Sequence, residues 1–169
     1  MKKLPLTLSA LAPIALLAAC GGGSEQPEAS DDAAAPEATE TTAAAPAAEA
    51  PAADNTDTVD GTTLAAFTGD AAAGEKVFLQ CKSCHVVEPG QNRIGPSLAG
   101  IIGREAGTVE GFSYTDANKN SGITWTKEKM FQYLENPMRV VPGTKMAFAG
   151  LKDAQARADV IAYLESAGS

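Results

Sequence analysis

The chain has 169 residues and a formal net charge of −8, but neither figure describes it evenly. Residues 1–20 are apolar with two lysines and no acid. Residues 21–68 hold ten acids, no base, and only Val59, Leu64 and Phe67 from the large apolar set, whereas residues 69–169 hold eleven acids, eleven bases and 30 large apolar residues. An Ala-rich stretch with so little large apolar surface cannot repay the entropy of ordering, so the sequence predicts one folded domain at the C-terminal end. The lack of any basic cluster argues against a nucleic-acid binder that works by neutralising phosphates.

The first segment, MKKLPLTLSALAPIALLAAC, places Lys2 and Lys3 before an apolar run from about Leu4 to Leu17. That pattern reads as an export signal over residues 1–19. The run contains Pro5 and Pro13 and is shorter than the roughly 20 residues of a membrane-spanning helix; the alternative is an uncleaved anchor. It ends in Leu17-Ala18-Ala19-Cys20, which resembles a bacterial lipobox, followed by Gly21-Gly22-Gly23-Ser24. The resemblance implies a lipidated Cys20 as the first mature residue, with acyl chains holding the protein to a membrane. Residues 20–68, rich in Ala, Pro, Glu and Thr, read as a disordered acidic linker.

Helical spacing begins near Asp70, with Gly74, Val77, Phe78 and Cys81 on one face, and is expected to run into Cys81-Lys82-Ser83-Cys84-His85. Short helices are predicted near 115–120 and 127–136, the second stopped by Pro137. A C-terminal helix is predicted over about 153–167, with Asp153 as its N-cap, Val160, Tyr163, Leu164 and Ala167 facing inward, and Gly168 as its stop. Twelve glycines in the last 101 residues suit a loop-rich shell around a large cofactor better than a regular bundle.

Cys-x-x-Cys-His is the attachment signature of haem c. Two cysteines three residues apart lie on one side of a helical turn, where they can form thioethers to one porphyrin while the next residue, His85, presents its imidazole to the iron. Cys-x-x-Cys alone would also fit thiol–disulfide exchange. Against that stand the adjacent histidine, the absence of a βαβ pattern, and the export signal. A zinc site would need further ligands that the chain does not supply. His85 is the single histidine, so a second axial histidine is excluded by count. Methionine is then the natural sixth ligand, and Met130, Met138 and Met146 are candidates. Met130 sits in a helical stripe of the kind that packs cores, and Met138 follows Pro137. Met146 ends an extended Pro/Gly segment suited to crossing the opposite haem face, and spacing favours it without deciding the matter.

The remaining motifs carry a resemblance. Cys81 to His85, Gly95-Pro96, Gly103-Arg104, the run from Gly111 to Asn120, Gly122-Ile123-Thr124-Trp125, Tyr133 to Pro137, Pro142-Gly143-Thr144-Lys145-Met146, Phe148-Ala149-Gly150 and Ile161 to Leu164 together resemble class I cytochrome c of the mitochondrial and bacterial cytochrome c2 type. The resemblance covers nearly all of 69–169 and none of 1–68. It implies an all-α class I cytochrome c fold, with first and last helices crossing at Gly74 and Phe78 packed near Val160 and Tyr163. It implies one covalent haem c, with His85 and Met146 on the iron. It also implies that the Pro96 carbonyl accepts from His85, that Arg104, Tyr114 and Trp125 bond the propionates, that Asn118, Tyr133 and Thr144 form a polar network near Met146, and that Phe148 covers the haem edge.

The function expected from this resemblance is one-electron transfer by a lipid-tethered, monomeric, periplasm-facing carrier, not an enzyme. Its expected donor is a quinol-oxidising cytochrome bc complex, and its acceptor a terminal oxidase or a reaction centre. The rival readings, a haem peroxidase or a ligand sensor, require a labile sixth ligand. Two departures from the mitochondrial pattern bear on partners. Gln80 and Met138 stand where relatives often carry Lys, leaving Lys82, Arg93, Arg139, Lys145 and Lys152 as the nearby cations, and the loop between His85 and Pro96 is one residue shorter.

Overall fold

A computed structural model describes residues 49–167. The export signal, Cys20, most of the linker and Gly168 lie outside the described residues. Five helices form the frame: α1 (Ala71–Phe78), α2 (Asp116–Lys119), α3 (Lys127–Glu135), α4 (Pro137–Val140) and α5 (Ala154–Ala167). Among the described residues there is no sheet, only an isolated antiparallel bridge between Glu105 and Thr124.

Short polar side chains start each helix by accepting from the N–H groups that the first turn leaves unpaired. The Asp70 carboxylate accepts from Ala72 and Ala73 at 2.8 and 3.1 Å, Thr115 serves α2, Thr126 serves α3, and Asp153 accepts from Gln155 and Ala156. α1 stops at Phe78, before the cysteine motif. The motif itself continues as turns, with Cys81 N donating to Phe78 O at 2.8 Å and His85 N to Cys81 O at 2.9 Å. Pro137 does more than stop α3. With no N–H to leave unpaired, it opens α4 at its first position, capped by Asn136, which accepts from Arg139 N at 3.2 Å.

α1 crosses α5 at Gly74, against the backbone of Asp159 and the Cβ of Tyr163. A Cβ added to Gly74 would lie 2.0 Å from the Asp159 carbonyl oxygen, so only glycine permits this approach. Phe78 packs on Tyr163 with ring centroids 5.1 Å apart, and Val160 and Leu164 are buried beneath. Tyr163 and Ala167 are only partly buried, while Arg157 and Asp159, which apolar periodicity does not mark, are buried. Asp159 is used: its carboxylate accepts from Asp70 N at 2.9 Å and from Gln155 Nε2 at 2.8 Å, seating the start of α1.

Residues 49–68 correct the sequence reading. They were expected to belong to the disordered linker, yet they form a strap packed on α3 and α5. Lys129 Nζ donates to the carbonyls of Ala52 and Asn55, Gln132 Nε2 to Asn55 Oδ1 and Asp57 O, and the Glu135 carboxylate accepts from Val59 N and Asp60 N. Arg157 pairs with Asp60 at 2.6 Å, and Phe67 packs on Phe131 at 5.9 Å. The reason is physical. The strap is held by its backbone polar groups against charged side chains, so a count of large apolar residues does not register it.

Candidate functional site

The turn after α1, the loop at 94–104, α3 and the segment 144–148 enclose a cavity of about 300 Å³, within the usual range for bound small molecules. Its lining brings together Cys81, Cys84, His85, Pro96, Arg104, Tyr114, Asn118, Trp125, Tyr133, Thr144, Met146 and Phe148, every residue that the sequence nominated for a cofactor site in this domain. Of the three methionines considered, Met130 and Met146 line the cavity, whereas Met138 is 51% exposed on the outer surface.

His85 is fixed from two sides. Its Nδ1 lies 2.8 Å from the Pro96 carbonyl oxygen. A carbonyl cannot donate, so Nδ1 carries the proton and Nε2 keeps a lone pair for a metal. Burial lowers the imidazole pKa and the bond to Pro96 works in the opposite direction; the net shift is downward, toward the neutral ring a ligand must be. Gly95 packs flat against the same ring: a Cβ there would meet Cε1 at 2.3 Å, Nδ1 at 2.7 Å and Nε2 at 2.8 Å. Sequence reasoning found Gly95 only as part of a matching motif. A glycine directly before the proline whose carbonyl receives the histidine was the available signal.

Cys81 and Cys84 are both free thiols. Burial, and then the neighbouring Cys84, push the Cys81 thiol up to about 11, opposite to the depressed pKa of an exchange thiolate.

Across the cavity the Tyr133 hydroxyl donates to Met146 Sδ at 3.4 Å. Burial raises the Tyr133 phenol, with Thr144 pulling the other way through a side-chain hydrogen bond, so the hydroxyl remains a donor. Thr144 Oγ1 also accepts from Met146 N at 3.3 Å. Asn118 is not joined to this pair in the described contacts. Its Oδ1 is buried with no partner, an acceptor left over beside the cavity. Arg104 and Tyr114 sit together at one end. Arg104 spends two of its five donors on the carbonyls of Ala99 and Ser97, at 2.8 and 2.9 Å. Burial lowers Arg104 and raises Tyr114, and each opposes the other's shift. Phe112, Leu98, Ile101, Leu134, Val160 and Leu164 complete an apolar wall that single-residue reasoning did not assign to the site.

An apolar cleft with two free thiols, a neutral imidazole presenting Nε2, a methionine sulfur and polar donors at one end fits a covalently attached, axially ligated haem. This is the class I cytochrome c fold. The family model for cytochrome c matches residues 71–168, and the chain belongs to that family. It is similar to cytochrome c2 of Blastochloris viridis, 57% identical over 97 residues that make up 57% of this chain and 76% of the relative. It is similar to cytochrome c 2.1 of Caenorhabditis elegans, 56% identical over 98 residues covering 57% of this chain and 88% of the relative. Among solved structures it resembles cytochrome cH from Methylobacterium extorquens, at a TM-score of 0.56 and 47% identity, covering 58% of this chain and 99% of that one. Membership implies one covalently bound haem c, with Cys81 and Cys84 in the attachment positions, and an electron-carrying role.

Proposed function

We propose that the chain is a membrane-tethered one-electron carrier of the periplasmic space, moving electrons from a quinol-oxidising cytochrome bc complex to a terminal oxidase, with a photosynthetic reaction centre as the other acceptor of this type. The haem, when bound, supplies the Fe(II)/Fe(III) couple. The chain's own residues hold and insulate it. Cys81 and Cys84 would hold it as thioethers, and His85 and Met146 would supply the ligands to its iron.

The observation that carries this reading is the Tyr133–Met146 hydrogen bond at 3.4 Å, in the same cavity that His85 enters. A methionine held in place by a buried donor supports a closed sixth position, and a closed position leaves no room for a substrate or a gas. Pro96 orients the His85 ring and raises its basicity. Arg104, Tyr114 and Trp125 serve the propionates, because carboxylates under a protein surface need donors. Thr144 tunes the methionine side, Asn118 keeps a buried, unpaired Oδ1 beside the cavity, and Phe148 shields the haem edge. Ligands that stay in place in both oxidation states keep reorganisation small.

Of the five candidate cations only Lys145 lines the cavity, so few of them surround its mouth and steering by charge is weak. Arg139 donates to Asp57 O, Lys152 to Glu135 O, and Lys145 to Ser113 O while lying 4.4 Å over the Phe112 ring. Lipid anchoring at Cys20 would replace charge steering with high local concentration.

The test is electron flow in bacterial membranes carrying the full chain or Cys20→Ser. The wild type should stay with the membrane and couple quinol oxidation to oxygen uptake. Cys20→Ser should release the protein and slow coupling at dilution. Equal retention and equal rates would overturn the tether. Carbon monoxide binding to the ferrous protein at neutral pH would overturn the closed sixth site.

A further inference from the structure

α3 has two working faces. Met130, Tyr133 and Leu134 line the cavity. On the other side Lys129, Gln132 and Glu135, spaced by three, are 1%, 0% and 3% exposed. Charged side chains are almost never buried this completely unless paired, and here their partners are supplied by the strap. The strap runs alongside α3 in the same direction. Ala52 and Asn55 meet Lys129, Asp57 meets Gln132, and Val59 and Asp60 meet Glu135.

Two residues then connect the strap to the segment that follows Met146. Arg157, 0% exposed and stacked 4.4 Å from the Phe131 ring, directs Nη2 to Asp60 at 2.6 Å and Thr62 at 2.9 Å. Its Nη1 donates to Leu151 O at 2.9 Å. The Glu135 carboxylate grips the strap's N–H groups, and its main-chain carbonyl accepts from Lys152 Nζ at 3.1 Å. Leu151 N closes the joint by donating to Leu134 O at 2.7 Å, and Gly150 lies so near that a Cβ would come within 2.1 Å of Glu135 O. The end of the methionine segment is therefore clamped to the C-terminal end of α3, and the strap clamps that end from behind.

We infer that residues 52–62 are a latch for the methionine side of the haem, with Glu135 and Arg157 as positioning residues that transmit its grip to Met146. The inference rests on the proposed assignment of Met146 as an iron ligand. The latch adds nothing to the cavity lining. It restricts how far residues 146–152 can swing away from the haem, and so it lowers the rate at which the sixth position opens.

The experiment uses the full-length holoprotein in three forms: wild type, a chain with residues 52–62 replaced by a Gly-Ser repeat of equal length, and Glu135→Gln. The first replacement leaves Lys129, Glu135 and Arg157 free to hydrate, and the second keeps volume if the first fails to fold. Three quantities are read: the rate of imidazole binding to the ferric protein, the far-red band of methionine-bound ferric iron, and hydrogen exchange at the Leu151 amide. The latch predicts about tenfold faster imidazole binding in the Gly-Ser form, a smaller increase in Glu135→Gln, and faster exchange at Leu151 in both, with the c-type absorption bands unchanged. Imidazole binding and Leu151 exchange within twofold of wild type, beside an intact far-red band, would overturn the latch alone. A wild-type protein without the far-red band would overturn the ligand assignment, and the inference with it.

Discussion

Replacing Gly95 by alanine tests how closely the histidine is built into the chain. The added Cβ would sit 2.3 Å from His85 Cε1, where ordinary contact begins near 3.4 Å, so the ring or the Gly95 backbone must yield by about an ångström. Neither is free. The ring is bonded to Pro96 O at 2.8 Å, and Gly95 N donates to Cys84 O at 2.8 Å. Overpacking of this kind costs about 1–3 kcal/mol, and losing the histidine hydrogen bond adds about 0.5–1.5 kcal/mol. Together they give about 1.5–4.5 kcal/mol, or a melting point lower by about 6–18 °C at roughly 4 °C per kcal/mol. The assay is thermal unfolding of purified holoprotein followed at the Soret band, with the yield of covalent haem measured alongside. Gly95→Ala should mature in lower yield and melt early. Wild-type yield with an unchanged melting point would refute the argument that this position is reserved for glycine by the ring.

Gly74→Ala should loosen the α1–α5 crossing, because its Cβ would lie 2.0 Å from a backbone oxygen that cannot rotate away; a loss of about 1–3 kcal/mol is expected in denaturant unfolding, and an unchanged midpoint would contradict it. Tyr133→Phe removes the donor to Met146 Sδ and should weaken the far-red band and cost about 1 kcal/mol. Because burial raises the Tyr133 phenol above its ordinary 10.0, this contribution should be whole below that pH and fade as pH rises through the folded-state value; a loss already complete at neutral pH would contradict it. Asp60 is held well below the ordinary 3.8: burial opposes ionisation, but hydrogen bonds from Arg157, Thr62 and Thr58 outweigh it. A depressed acid stabilises above its unfolded pKa, so the stability gap between wild type and Asp60→Asn should be constant from pH 7 to about 5 and shrink as pH falls below the unfolded value. A gap that grows on acidification would have the wrong sign.

The sequence was most readable where chemistry dictates spacing. Cys81, Cys84 and His85 declare a haem by their order alone, and Asp153 marks where the last helix begins. The crossing at Gly74 was legible through the resemblance to class I cytochrome c, and the close approach to the Asp159 carbonyl gives its physical reason. α4 was not, since a proline after a helix reads equally as a stop or as a first turn. The strap was missed for a deeper reason. It is bonded through the backbone groups of Ala52, Asn55, Asp57, Val59 and Asp60, a stretch with one large apolar residue and no apolar period, and the row that receives them looks like an ordinary solvated helix face. Lys129, Gln132 and Glu135 are buried only because residues distant in sequence cover them, which no local period records. The polar network near Met146 was partly legible: Tyr133 and Thr144 meet there, while Asn118 stands apart with an unpaired Oδ1.

The most direct measurement is the optical spectrum of the full-length protein extracted from bacterial membranes, oxidised and reduced. A covalent haem held by His85 and Met146 predicts c-type bands in the reduced protein and the weak far-red band in the ferric form, lost in Met146→Ala. Bands of c type without the far-red feature would contradict the closed coordination on which the carrier function depends.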